Sequence, residues 1–256
     1  MFIALDIGNT NIELGLFKND ELIESFRIRT DERKTVDEYG IDLYNLVKIR
    51  IQNEDKIDIA IISSVVPSLD KVFADALLKY FNCSSIFIGP KHLKNIKILI
   101  DNENELGADL LVGAYMGLHL YPNNNIIVVD MGTAITYSYI NSNKEFLGCV
   151  ITPGIKTAYN SLIKATSKLQ AVSYKVSDSI IGKNTINAIQ SGAVYGTAFE
   201  IDGIVRRMKK DYGDALILIT GGEVNIVKDY LEEKYFYHKD LVLEGLKLIY
   251  MENRRK

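Results

Sequence analysis

Two short segments of this 256-residue chain read alike, and each stands at the same point in its surroundings. Asp6-Ile7-Gly8-Asn9-Thr10 follows the apolar run Phe2-Ile3-Ala4-Leu5, and Asp130-Met131-Gly132-Thr133-Ala134-Ile135-Thr136 follows Ile126-Ile127-Val128-Val129. A second β-prone run follows each, Ile12 to Phe17 and Thr136 to Ile140. Strand, Asp-x-Gly turn and returning strand make a hairpin whose backbone N–H groups can face a phosphate, because glycine admits close approach. The aspartate can hold a cation or its water shell. Asp-x-Gly and Gly-Asn are also ordinary turn formers, so neither segment decides alone. As a pair, each opening one half of the chain, they point to two lobes closing on one polyphosphate, and so to ATP chemistry.

Composition narrows the alternatives. Hydrophobic residues at 47% and charged residues at 25% match a globular protein. A formal charge of -3 gives no support to nucleic-acid binding. The two cysteines, Cys83 and Cys149, form neither a metal-ligand nor a disulfide spacing, which fits a reducing cytoplasm. The three histidines, His92, His119 and His238, are scattered without metal spacing and read as surface or packing residues. No run has the length of a membrane span, and the N-terminus begins directly with a strand rather than a signal peptide.

Hydrophobic spacing predicts strands over 2–7, 12–17 and 21–28, then a helix carrying Val36, Tyr39, Leu43, Leu46 and Val47. Ile57 to Val66 reads as a buried strand, Ser68 as the N-cap of a helix with the stripe Leu69, Val72, Phe73, Ala76, Leu77 and Tyr80, and Ser85 to Ile88 as a short strand. A helix from Ala108 to Leu120 follows an irregular stretch. The second half restarts with strands near 125–130, 134–140 and 145–151, helices near 155–169 and 184–210, a strand over Ala215–Thr220 and two short helices. This is a duplicated α/β topology, divided here into lobes 1–118 and 119–256, with no low-complexity linker between them.

The ordered motifs resemble those of the type III pantothenate kinases, within the acetate kinase, sugar kinase, Hsp70 and actin superfamily. Asp6 through Asn11 resembles the first phosphate motif, Ser63-Ser64-Val65-Val66-Pro67 the next strand-to-helix turn, and Gly107-Ala108-Asp109 the start of a Gly-x-Asp-Arg substrate motif. Asp130-Met131-Gly132-Thr133-Ala134 resembles the second phosphate motif, and Gly148 through Pro153-Gly154-Ile155 a Gly-x-Ile-x-Pro-Gly segment. Asn184-Thr185, Ser191-Gly192, Gly221-Gly222 and Leu241-Val242-Leu243-Glu244-Gly245-Leu246 complete the series, which runs almost end to end.

The resemblance implies a ribonuclease H-like, actin-like ATPase fold with two lobes and mixed five-stranded sheets. It implies phosphorylation of pantothenate at its primary hydroxyl by ATP, the first step towards coenzyme A, in a cytoplasmic homodimer. Carried onto this chain, Asp109 is the general base, and Gly107, Ala108, Leu110 and Thr185 occupy substrate positions. Asp6, Gly8, Asn9, Thr10, Asn11, Gly132, Thr133, Gly221 and Gly222 serve ATP, with Asp6 holding Mg2+ and Asp130 a monovalent cation, K+ or NH4+. Spacing alone also allows Asp109 to be a helix-opening acid and Asn184-Thr185 a helix cap.

The chain departs from the family pattern on the substrate side. The motif arginine is Leu110, the proline of a preceding Asp-Asn-Pro is Glu103, and Ile100 stands where a tyrosine is common. Losing one charged hydrogen bond is worth roughly 1.5–3 kcal/mol, about ten- to a hundredfold in affinity. Lys156 is a candidate replacement cation. The rival readings are a kinase for another small hydroxylated substrate and a catalytically weakened, nucleotide-binding regulator in a transcription-accessory role.

Overall fold

The computed structural model describes residues 1–51, 55–166, 173 and 179–254. Its contacts divide the chain into two units, Met1–Ile96 with Asp101–Met116 and the C-terminal segment from Leu241, and Lys97–Ile100 with Gly117–Asp240. The residues after Leu241 therefore group with the first unit, whereas the sequential division at 118 assigned them to the second lobe.

In the first unit β1 (Phe2–Ile7), β2 (Asn11–Lys18), β3 (Glu21–Arg29), β4 (Ile59–Ser64) and β5 (Ser84–Phe87) form one sheet ordered β3-β2-β1-β4-β5. β1 pairs antiparallel with β2 and parallel with β4. A strand held on both edges and covered on both faces has to be apolar throughout, and Phe2 to Leu5 are buried. Helices α1 (Val36–Lys48) and α2 (Pro67–Phe81) supply Tyr39, Leu43, Val47, Leu69, Phe73 and Leu77 to the same core. Each such side chain contributes about 1.5–3 kcal/mol on burial.

Helix starts follow their local chemistry. α1 opens on a capping box: Thr35 Oγ1 accepts from Glu38 N at 3.4 Å, and Thr35 N donates to Glu38 Oε2 at 2.8 Å. Ser68 is not the cap expected for α2. Pro67 takes the first helical position with Val66 as N-cap, and the Ser68 hydroxyl donates instead to Glu32.

The sixth strand, β6 (Lys97–Ile98), belongs to the sheet of the second unit. There β7 (Ile126–Met131), β8 (Ala134–Ile140), β9 (Glu145–Pro153), β10 (Leu216–Thr220) and β11 (Tyr235–Tyr237) complete the order β11-β10-β7-β8-β9-β6. The run β9-β8-β7-β10-β11 repeats the first unit's β3-β2-β1-β4-β5, so the duplication is real. The second sheet has six strands rather than five because Lys97 and Leu99 donate backbone bonds to Lys144 and Phe146.

Between β5 and β7 runs α3 (Ala108–Leu120). α4 (Ile155–Lys164) covers most of the helix expected over 155–169, and 167–169 lie outside the described residues. α5 (Thr185–Tyr212) supplies Val194, Ala198, Ile201 and Val205 to the second core, with Asn184 capping it through Asn187 N at 2.8 Å. After β10 come the short α6 (Val224–Val227), then β11 and the 14-residue α7 (Leu241–Arg254), where two short helices were expected. Within the first unit α7 packs on β1, β2 and β4.

Asp202 of α5 is fully buried, and its carboxylate accepts Glu232 N at 2.9 Å and Glu233 N at 3.2 Å, fastening the segment before β11. Asp202→Ala strips both amides of their acceptor. Its unfolding free energy in urea is expected to fall by about 2–4 kcal/mol, and a loss below about 0.5 kcal/mol would contradict this role.

Candidate functional site

In the first unit β1 leaves the sheet at Ile7, and the Asp6–Asn11 turn closes through Gly8 N to Asn11 O at 3.1 Å. Thr30, at the end of β3, holds it twice: its hydroxyl donates to Gly8 O at 2.6 Å and its N–H to Thr10 O at 3.0 Å. Asn9, Thr10 and Asn11 are exposed and Asp6 is half-buried. Asp6 sits in register with Ser63 of β4, whose hydroxyl oxygen is buried without a partner. Beside the turn, a cavity of about 530 Å3 is lined by Asn9, Arg29, Thr30, Asp31, Glu32 and Arg33. Arg33 is bound to Asp31 through two hydrogen bonds, and this guanidinium lowers the Asp31 carboxyl to about 2.

The Gly107–Asp109 segment belongs to the same unit. A Cβ placed on Gly107 would lie 3.5 Å from Val65 Cγ1. Val65 N in turn bonds Ile7 O at 3.0 Å, so the start of α3 stands at the carboxyl ends of β4 and its neighbour β1. Ligands of open α/β sheets collect at such strand ends. Burial raises the Asp109 carboxyl above its ordinary value, opposed by bonds from the N–H groups of Leu110, at 2.7 Å, and of Asp109 itself. The same Gly107 Cβ would come within 2.4 Å of Asp109 Oδ1, so the missing side chain is what leaves room for the carboxylate. Leu110 is half-buried and brings no charge.

In the second unit the turn after β7 closes through Gly132 N to Ala134 O at 3.0 Å. Thr133 is exposed, and its carbonyl accepts Gly154 N at 3.0 Å and the Thr157 hydroxyl at 2.7 Å, fixing the start of α4 to the turn. After β10, Gly221 has φ +103° and presses on Met131 and on Asp130, whose Oδ1 lies 2.6 Å from where a Cβ would stand. Gly222 and Thr185 are exposed. The structure thus gathers Asp6, Gly8, Asn9, Thr10, Asn11, Gly107, Ala108, Asp109 and Leu110 in one unit. It gathers Asp130, Gly132, Thr133, Gly221 and Gly222 at one strand crossing in the other, whose α5 opens on Thr185.

Two features escaped the sequence. Thr30 was legible only as a residue after a strand, and its support of the first turn is non-local. Glu223, directly after Gly221-Gly222, is 7% exposed, donates its N–H to Met131 O at 3.2 Å and pairs with Lys156 Nζ at 3.4 Å. Lys156 is therefore engaged within the second unit. Among the described residues no group of three or more His, Cys, Asp and Glu is arranged to hold a metal, so any ion here relies on fewer carboxylates with hydroxyls and carbonyls. Gly221→Ala meets both an unfavourable φ and backbone atoms. It is expected to cost about 2–4 kcal/mol in denaturant unfolding, and a variant as stable as the native chain would contradict this packing.

The family model for type III pantothenate kinase matches residues 2–207. A relative of that name from Exiguobacterium sp. is 38% identical over 255 residues, covering 100% of both chains. Another, from Syntrophus aciditrophicus, is 39% identical over 254 residues, covering 99% of this chain and 100% of its own. Among solved structures, a Campylobacter jejuni protein described as a Baf family transcriptional activator aligns over 100% of both chains with TM-score 0.62 and 23% identity. An ATP-glucomannokinase from Arthrobacter sp. aligns over 98% of both chains with TM-score 0.52 and 12% identity. These two likenesses show the fold, that of the actin-like ATPases and sugar kinases. With the two Asp-x-Gly turns and the glycine-flanked Asp109 in place, the full-length matches establish that the chain belongs to the type III pantothenate kinase family.

Proposed function

We propose that this protein transfers the γ-phosphoryl group of ATP to the primary hydroxyl of pantothenate, with Asp109 as general base. The observation that carries the reading is the desolvated Asp109 carboxyl, stationed by Gly107 at the strand ends that also hold the Asp6–Asn11 turn. As the hydroxyl oxygen bonds to the γ-phosphorus, the β–γ bridging bond breaks, ADP leaves and the proton passes to Asp109. Phosphoryl transfer needs positioning and charge neutralisation more than covalent help. With Gly8 and Gly132 closing the two turns through their own N–H groups, the amides of Asn9 and Thr10 and the Thr10 hydroxyl serve the phosphates, Thr133 does so from the second turn, and Gly221 and Gly222 serve the adenosine.

Asp6 beside the unpartnered Ser63 hydroxyl is an all-oxygen pair that fits Mg2+ held through water. Asp130 fits a monovalent cation, K+ or NH4+. These ions supply charge neutralisation when bound. Thr185 is assigned to pantothenate, and Leu110 leaves its carboxylate without the arginine of the family motif. Exposed Val150, Ile151, Ile186 and Phe199 support a homodimer. No helix among the described residues is long and apolar enough to cross a membrane, and a cytoplasmic location is part of the same proposal.

Asp109→Asn separates catalysis from structure. A raised carboxyl pKa means the folded chain keeps this proton to higher pH than the unfolded chain. Stability therefore falls as pH rises between the two values, and the ionised carboxylate costs stability above them. The asparagine carries no such cost. At neutral pH the variant is expected to melt no lower than the native chain while kcat drops about 10²- to 10⁴-fold. In the native enzyme, kcat falls as pH is lowered through the raised Asp109 value. A variant with unchanged kcat would exclude Asp109 as the base. Gly107→Ala displaces the carboxylate without removing it. It is expected to lower kcat roughly 10- to 100-fold, and a loss confined to KM for ATP would place its effect elsewhere.

A further inference from the structure

At the carboxyl edge of the first sheet Arg29, the last residue of β3, is exposed and makes no ion pair or side-chain hydrogen bond with any described residue. The other cations around it are engaged: Arg27 by Glu13, Arg33 by Asp31 and Lys34 by Asp42. Arg29 and Asn9 both line the cavity beside the first turn. The two acids of that cavity are occupied, Asp31 by Arg33 and Glu32 by the Ser68 hydroxyl. Strand register fixes where the arginine side chain starts. Arg29 stands directly opposite Asn11 between β2 and β3, with the Cα atoms of such a pair about 5 Å apart. Asp6 stands opposite Glu13 between β1 and β2, so Asp6, Asn11, Glu13 and Arg29 share one face of the sheet. The N–H and hydroxyl of the next residue, Thr30, bond Thr10 O and Gly8 O, which ties the end of β3 to the turn.

We infer that the Arg29 guanidinium binds the terminal phosphate of ATP on the first turn. The inference rests on the assignment of that turn to the phosphates, and it adds a positive side chain that the turn itself lacks. Strand order decides between the two anionic groups of the reaction. In the order β3-β2-β1-β4, the turn from β1 to β2 lies between Arg29, at the end of β3, and the start of α3 beside Val65, just after β4. An acceptor whose hydroxyl faces Asp109 approaches the phosphate from the β4 side, and Arg29 meets the phosphate from the β3 side. The acceptor's carboxylate would have to cross the turn to reach Arg29. The planar fork of an arginine can hold two phosphate oxygens at once. Its charge stabilises the negative charge that spreads over the oxygens of the transferred group.

The test is calorimetric titration of the full chain, with Mg2+ and without pantothenate, against the β,γ-imido analogue of ATP and against ADP. Arg29→Met is expected to weaken the analogue about 10- to 100-fold and ADP, which lacks the terminal phosphate, less than about threefold. Because Arg29 is exposed, the variant is expected to melt within about 2 °C of the native chain. Arg29→Lys keeps the charge and loses the fork, so it should recover part of the lost affinity, and it gives a second reading should Arg29→Met fail to fold. Unchanged affinity for the analogue in Arg29→Met overturns the inference. So does an equal loss for the analogue and ADP, which would take Arg29 away from the terminal phosphate. A raised KM for pantothenate with the analogue bound as before also overturns it, and gives the guanidinium to the acceptor's carboxylate. Pantothenate turnover measured alongside separates the two claims. Turnover with equal analogue affinity in native and Arg29→Met proteins leaves the function standing and removes the contact. A selective loss of analogue affinity in a chain that does not phosphorylate pantothenate does the reverse.

Discussion

Everything at the site depends on where the two central strands stop being covered. β1 and β7 are each paired on both edges and buried on both faces, and burial permits only apolar side chains until the strand reaches the end of its sheet. At that place each chain segment puts an aspartate, Asp6 or Asp130, half in and half out of the core. The glycine two residues on then closes the turn, Gly8 through its N–H to Asn11 O and Gly132 through its N–H to Ala134 O. A position one residue earlier or later, Leu5 or Ile7 in β1 and Val129 or Met131 in β7, is fully buried and would put the carboxylate in the core. The fold therefore specifies the chemistry by specifying a strand end, and does so twice.

The same logic of constrained exposure governs Asp109. Its burial is unfavourable for the charged form, and two backbone N–H bonds recover only part of that. A carboxyl in this condition binds a proton more readily than one in water, which is what a general base needs when its substrate is an alcohol. Gly107 is the structural expression of the arrangement, since any side chain there would occupy the volume of the carboxylate. Leu110 shows the opposite choice. Its side chain is half-buried and uncharged, and the family's positive charge is absent from the motif.

Much of this was legible in the sequence because it is local. Apolar runs broken by Asp-x-Gly have one physical reading as central strands ending in turns, and the duplication of β1–β3 as β7–β9 followed from the same pattern. What failed was non-local or too short to carry a period. β6 has two residues and β11 three, so neither shows alternation, and both exist only because a neighbouring strand offers its edge. Ser68 has the right chemistry for a cap, but Pro67 before it fixes the first helical position. Lys156 was read as a spare cation for the substrate, and the structure pairs it with Glu223, a residue 67 positions away that only the fold brings near. The hold of Thr30 on the first turn was invisible for the same reason.

The central claim is that these two turns and Asp109 serve phosphoryl transfer to an alcohol, and that the alcohol is that of pantothenate. The most direct measurement follows γ-labelled ATP with pantothenate, Mg2+ and potassium, and identifies the labelled product by mass spectrometry and 31P NMR. The account predicts a stoichiometric phosphate monoester on the primary hydroxyl of pantothenate, with ADP as the other product. Label released only as inorganic phosphate, or transferred to another small hydroxylated acceptor while pantothenate stays unmodified, would contradict it.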